Sequence, residues 1–545
     1  MEVWLIRLVG LIAIVLIYQE INKSIIQRIK IIIIFDNMNN TNNIDLKNIF
    51  DDVSLSSILF TSFTSLMIIG CIYIYAKHKQ LERNISIETN GIPVKDFNKI
   101  IPIIGELNMV LNPMEYQEKS HSEYGYLYAT LFLNEPNVIV TGADLIDQVF
   151  YENAKNIKLE WTKNFTDLLF GPNSILTVSG DEHKRQRKLV INNLGVPALN
   201  RLFPGLVEIF DKCIKNWIEK TKNGSYIDIV PAVNKAVWEA MSLIVFGEDI
   251  PKDVDNELNY VMGLIGQGLF AIPINLPFTT LGKAYKARKR FQELIIGEYN
   301  RRQKMSDHGI NRTDFFQAII NETCNDGLNE GFNLDLAVTV IYGSLDTTKS
   351  TVLLMINTMI DHGNEWERVN NDINNVFGPE GLLAPDATYN RLEREVPYIS
   401  GCLKEIMRYN GVGLMSMRRV ISDIQLRYNN KTYIVPKGYK ICTNHYYNGI
   451  NPESNIFTKP TSFIPERFIG DNAEDKISGY KSATSNFGGG ERICPGNPVA
   501  KLEIQIFMGL MSKYKWIRKE RVKHWETIPF PIPKYGMFIR GVSVE

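Results

Sequence analysis

The sequence predicts a mainly α-helical protein with small β-sheets, preceded by an N-terminal membrane anchor. Three observations carry this. From Leu145 onward apolar residues recur at helical spacing through most of the chain. One aromatic-rich stretch, Tyr124–Val140, alternates instead with the period of a strand. And Leu55–Tyr75 runs without a single charged residue, long enough for a bilayer core of roughly 30 Å crossed at about 1.5 Å per residue.

Composition narrows the class. With 545 residues, 45% of them hydrophobic and 22% charged, the chain can bury a large core. Lys+Arg and Asp+Glu both number 60, so no basic excess points to nucleic acid. The six cysteines (71, 213, 324, 402, 442 and 494) are scattered, with no C-x-x-C pair. That argues against a zinc site and against a secreted disulfide framework. One special cysteine among ordinary thiols, on the reducing side of a membrane, is the better reading.

In chain order, residues 1–34 are rich in Ile, Leu and Val but interrupted by Arg7, Lys23, Arg28 and Lys30. Residues 1–18 match the shortest spanning helix, so a second span there stays open; no small-residue cleavage site marks a signal peptide. Residues 36–54 are polar and rich in Asn and Asp, an exposed linker. Leu55–Tyr75 is the anchor. Lys77, His78, Lys79 and Arg83 follow it directly, which places everything after Tyr75 in the cytosol by the positive-inside tendency. The chain therefore divides into an anchor region, 1–85, and a globular region, 86–545. A thin hinge (Pro93, Pro102, Gly105) leads to two strands around the Asn134–Pro136 turn. Helices follow, with breaks expected at Gly171-Pro172, Pro231, Pro273 and Pro277.

The chemistry concentrates in Phe487–Gly496, FGGGERICPG: an aromatic, a glycine cluster, an arginine, and a cysteine followed by Pro-Gly. A cysteine thiolate can hold haem iron and favour O–O cleavage. Glycines let a backbone approach a porphyrin and aim N–H groups at the sulfur. This stretch resembles the haem loop of the cytochrome P450 family, F-x-x-G-x-R-x-C-x-G, at every fixed position: Phe487, Gly490, Arg492, Cys494 and Gly496. The resemblance implies haem b (iron protoporphyrin IX) with Cys494 as the axial ligand to iron, Phe487 covering the thiolate and Arg492 reaching a propionate.

Five further stretches resemble the same family, over roughly residues 90–545. Gly180–Leu189 (GDEHKRQRKL) is similar to its W-x-x-x-R helix, which implies Arg187 at a propionate; His183 stands in the tryptophan position. A propionate beside His183 would raise the ring's pKa. Ile341–Thr351 (IYGSLDTTKST) resembles the oxygen-activation segment of the central helix. Asp346 and Thr347 would relay protons in a groove beside Gly343, with Ser344 where a second glycine is usual. Glu405 and Arg408 form E-x-x-R, three apart on one helix face, and join Arg467 of PERF in what the family makes a buried structural triad. Ser416–Asp423 (SMRRVISD) supplies a second propionate ligand, Arg418, with Arg419 as the fallback. The stretches Pro273–Arg290 and Phe487–Trp516 lean toward members that oxidise sterols, retinoids or other isoprenoids.

Function follows as an expectation: a haem-thiolate monooxygenase that inserts one atom of O2 into a hydrophobic small molecule (a sterol, isoprenoid or fatty-acid-like compound). Too few residues follow Cys494 for a flavin domain, so electrons come from a separate protein, NADPH–cytochrome P450 reductase, with cytochrome b5 as a second donor. The family implies the endoplasmic reticulum membrane, with the catalytic part facing the cytosol. One alternative is a haem-thiolate isomerase or dehydratase, members of which often lose the acid–threonine pair present here. A second is a non-enzymatic membrane protein with Cys494 merely buried.

Overall fold

The computed structural model describes residues 73, 75–96, 106, 108–133, 135–160, 163–269, 271, 274–306, 312–326, 330–454, 456–471, 473–527 and 529–543. The possible span at 1–18, all of 55–75 except Tyr73 and Tyr75, and the hinge residues Pro102 and Gly105 lie outside them. Two compact units divide between Arg83 and Asn84, and the second holds every candidate site residue.

That unit is mainly helical with small sheets. Its main sheet joins β1 (Leu127–Phe132), β2 (Glu135–Val140), β3 (Ile157–Leu159), β4 (Met415–Val420) and β5 (Lys440–Asn444) in the order β1-β2-β5-β4-β3. Only the β2–β5 pairing is parallel. The expected hairpin forms with Leu127 opposite Val140, and Leu133 takes a positive φ of 51° in its turn. β1 is buried along its whole length, so its polar alternation does not mark a solvent face. Thr130, for example, is sealed inside.

The helices that position the site are α1 (Gly180–Asn193), α2 (Val196–Thr221), α3 (Ile229–Phe246), α4 (Lys252–Gly268), α5 (Thr280–Ser306), α6 (Phe315–Asp326), α7 (Glu330–Asp361), α8 (Pro397–Asn410) and α9 (Asn497–Met511). Pro231 does not break the chain as expected. It lies in the first turn of α3, where no intrahelical N–H is needed. Asp228 caps that helix, accepting from the Val230 N–H at 3.1 Å. α3 is the one described helix apolar and long enough to cross a membrane, and it is packed in the core instead.

α7 organises the core. Its 32 residues span about 48 Å, and it is apolar around much of its circumference, as a helix enclosed by others must be. Leu336, Val338, Ile341, Val352, Leu353 and Ile356 on it are fully buried. α9, directly after the cysteine loop, packs against α7, and the aromatic rings of Phe210 and Phe507 meet at 4.3 Å between α2 and α9.

Candidate active site

The cysteine loop is shaped by turns that only glycine makes cheaply. Gly488 and Gly490 have φ of 74° and 63°, and the Cys494 N–H donates to the Phe487 carbonyl at 2.9 Å. A Cβ on Gly489 would lie 2.5 Å from the Phe150 ring, and one on Gly490 would lie 2.3 Å from the Phe150 carbonyl oxygen. These glycines therefore answer to the protein's own segment 148–152, not only to a porphyrin. A Cβ on Gly496 would meet nothing closer than the Cys494 sulfur at 3.8 Å.

Cys494 is exposed by its own surface, yet burial is the first cause of its raised pKa. Opposing the burial, N–H groups of Gly496 and Asn497 point at the sulfur and Arg187 adds positive charge. Those N–H groups open α9, so the helix N-terminus faces the sulfur and favours its thiolate. Lys501 on the same helix sits 5.8 Å from the Phe487 ring.

Around this loop the structure gathers cations. Arg187, from α1, donates to the Ile493 carbonyl at 2.5 Å. Arg492 donates to the carbonyls of Ile175 (3.0 Å) and Val178 (2.6 Å), so it fastens the loop 171–179. His183 is buried beside both. Burial first, then Arg492 and Arg187, push its pKa down to about 4, the reverse of the direction that a propionate would impose. Arg418 is only 4% exposed, lies 5.2 Å from the Phe150 ring, and donates to the Met417 carbonyl at 3.0 Å. Burial and Arg492 lower its pKa to about 10. No carboxylate among the described residues pairs with it. Arg419, the fallback, is committed to Glu160 and Glu135 on the sheet.

A buried guanidinium without an acid is costly unless an anion completes it. Arg418, Arg492, Arg187 and His183 together thus suit a ligand that brings its own carboxylates to the face carrying Cys494. The residues fit a haem with two propionates.

On α7, the Thr347 hydroxyl donates back to the Gly343 carbonyl at 2.6 Å, as the motif predicts. Ser344 does the same to Ile341 at 3.0 Å, which keeps its hydroxyl turned into the helix. Asp346 is held by Lys349 at 2.5 Å, a partner one turn on that the sequence reading did not single out. No contact joins Asp346 or Thr347 directly to Cys494. Two ties connect their helix to the cysteine side: Thr348 to Glu503 of α9 at 3.4 Å, and Thr339 to Ser174 of the loop that Arg492 fastens at 2.8 Å.

The same loop is tied to α7 a second time. Asp335 accepts from the Asn173 N–H at 3.0 Å and pairs with Arg288 of α5 at 2.6 Å, both side chains buried. A Cβ on Gly171 would fall 2.0 Å from the Asp335 carboxylate. This pair bridges helices distant in sequence, and no local motif announces it.

Glu405, Arg408 and Arg467 come together away from the cysteine, with side chains fully buried. Arg408 grips both oxygens of Glu405 (2.6 and 2.7 Å) and also donates to the carbonyls of Gly449, Pro460 and Ser462. Arg467 reaches Glu405 at 3.2 Å and Glu474 at 2.7 Å. Every charge is partnered, as a buried cluster requires. Glu474 escaped sequence reading, as did His445, which bonds Ser485 at 2.5 Å.

The sequence profile of the family described as Cytochrome P450 matches residues 96–535. Abscisic acid 8'-hydroxylase 4 of Arabidopsis thaliana is 25% identical over 80% of this chain and 89% of its own length. Cytochrome P450 26A1 of Danio rerio is 25% identical over 81% and 90%. The solved structure of retinoic acid bound cyanobacterial CYP120A1 superposes with a TM-score of 0.71 over 83% of this chain and 99% of that one, at 21% identity, which shows the shared fold.

Proposed function

The chain belongs to the cytochrome P450 family, and on that premise we propose the roles that its residues play in a haem-thiolate monooxygenase anchored in the endoplasmic reticulum membrane. Haem b, when bound, supplies the redox chemistry that divides O2 between a hydrophobic substrate and water. Cys494 is its protein ligand, and the N-terminus of α9 together with Arg187 favours the thiolate. Arg418, Arg492, Arg187 and His183 hold the propionates. Phe487 shields the sulfur from water, and Gly490 and Gly496 shape the loop around it. Asp346 holds and releases protons at its carboxylate, and the Thr347 hydroxyl, bonded to Gly343, orients water in the adjoining groove. Glu405, Arg408 and Arg467 are structural.

Residues 1–85 anchor the chain through the span at 55–75, and residues 86–545 face the cytosol. NADPH–cytochrome P450 reductase delivers the electrons, seconded by cytochrome b5, on the side of Lys501. The substrate is an isoprenoid. Abscisic acid, named in several relatives, is of that class, and it agrees with the lean of the 273–290 and 487–516 stretches.

The observation that carries the assignment is the buried, acid-free Arg418 close to Arg492 of the loop whose Cys494 faces the N-terminus of α9. Cys494→Ser tests it, because a serine hydroxyl does not ionise readily enough to replace a thiolate. The reduced, carbon monoxide-treated mutant should lose the far red-shifted Soret band. Retention of that band would overturn the assignment.

A further inference from the structure

We infer that Tyr342 is a positioning residue for Asp346: its phenolic hydroxyl is the donor that this carboxylate takes up when it turns away from Lys349. The inference rests on the reading of Asp346 as the proton-relaying acid.

The two residues are four apart on α7, so they share a face. The Tyr342 hydroxyl is sealed from solvent and has no hydrogen-bond partner among the described residues. An unpartnered buried hydroxyl is costly and uncommon, and it calls for a reason. Phe170 packs on the ring with centroids 5.1 Å apart, and α4 closes over its other edge.

Asp346 has one oxygen engaged and one in reserve. Oδ1 accepts from Lys349 Nζ at 2.5 Å; Oδ2 has no hydrogen bond among the described residues. Oδ2 and the Tyr342 ring edge share a single hollow. A Cβ on Gly266 of α4 would lie 2.9 Å from Asp346 Oδ2 and 3.2 Å from Tyr342 Cε2. Gly266 lies in the last turn of α4 without a positive φ, so its backbone does not demand glycine. Glycine there is unfavourable relative to alanine. What it supplies is space, and that space holds the carboxylate oxygen next to the phenol.

The chemistry suits the placement. Burial first, and then the Asp346 charge, raise the Tyr342 pKa well above its ordinary value, so the hydroxyl stays a donor at any working pH. A relay carboxylate tied only to Lys349 would swing free whenever that ion pair opened. A second, fixed donor one turn back keeps it along the helix groove beside Thr347.

The test uses the full-length holoenzyme with NADPH–cytochrome P450 reductase and no added substrate, where oxygen is reduced either to peroxide or to water. Tyr342→Phe keeps the ring and removes the donor. Gly266→Ala keeps the donor and fills the hollow. Both should raise the share of oxygen released as peroxide several-fold while leaving haem content and the reduced carbon monoxide spectrum unchanged. Asp346→Asn should raise it at least as much. In the reduced-minus-oxidised infrared difference spectrum, the carboxylate band abolished by Asp346→Asn should move in Tyr342→Phe, which a merely structural role would not cause. If peroxide share and band in both variants match the parent while Asp346→Asn is uncoupled, Tyr342 does not position the acid and the inference is overturned. If Asp346→Asn itself leaves the peroxide share unchanged, Asp346 is no relay, and the reading beneath the inference falls with it.

Discussion

Arg418→Met should act in opposite directions on the protein with and without its cofactor. Methionine keeps an unbranched chain over the Phe150 ring and deletes only the charge and its hydrogen bonds. Arg418 is 4% exposed, and burial with Arg492 nearby lowers its pKa to about 10 from 12.5. At about 1.36 kcal/mol per pKa unit, roughly 3 kcal/mol stands against the charged form in the fold. The folded pKa is lowered, so this cost is complete below about pH 10 and is relieved only as pH rises toward the unfolded value. At neutral pH, removing the charge should therefore stabilise the haem-free protein. The gain is about 2 kcal/mol once the lost bond to the Met417 carbonyl, about 1 kcal/mol, is discounted. In the loaded protein the same mutation removes a charge-assisted bond to a propionate. That bond is worth about 1.5–3 kcal/mol, or about 10- to 150-fold in haem retention. Denaturant midpoints of the haem-free protein and haem transfer to an excess of a scavenging protein measure the two effects. A haem-free mutant less stable than the parent, or one that keeps haem equally well, would refute the assignment of Arg418 as an anion partner.

Gly490→Ala places a Cβ 2.3 Å from the Phe150 carbonyl at a φ of 63°. Strain of about 1–3 kcal/mol should lower the yield of carbon monoxide-reactive protein, whereas Gly496→Ala should cost the fold little; equal behaviour of the two would deny the packing role given to Gly490. His183 is held neutral, with its pKa near 4 and below the unfolded value. The haem-free protein should thus lose stability as pH falls from about 6.5 through that range, because only the unfolded chain takes up the proton. His183→Phe should flatten this slope, with a remainder from His445, whose pKa is pushed down to about 3. In the loaded protein a propionate would pull the His183 ring the other way, and parallel curves of haem loss against pH for parent and His183→Phe would exclude a charged contact. Deleting residues 1–75 should release much of the protein from membranes with its carbon monoxide spectrum intact, and loss of haem on truncation would show that the segment belongs to the fold.

What could be read in the chain was what lies close together in it. The cysteine loop, Glu405 with Arg408, and Asp346 with Thr347 each occupy a few consecutive positions, where backbone geometry alone fixes which groups share a face. The hairpin at β1 and β2 was legible for the same reason, since its turn and register are local. Arg418 over Arg419 was legible only by resemblance. The structure separates the two physically, because adjacent residues on a strand point to opposite faces and only Arg419 meets acids there. Pro231 read as a break, because a proline's effect depends on whether the preceding turn has already begun the helix.

Tertiary packing alone decided the rest. Arg288 finds Asp335, Tyr342 finds the hollow at Gly266, and Phe150 dictates Gly489 and Gly490, across separations that no periodicity encodes. Burial beside Arg492 and Arg187 likewise sets the low pKa of His183 in the haem-free fold. The sequence by itself determined which groups carry charge, sulfur and protons; only the fold decided which were left unpaired, because desolvation and long-range neighbours are properties of the packed chain.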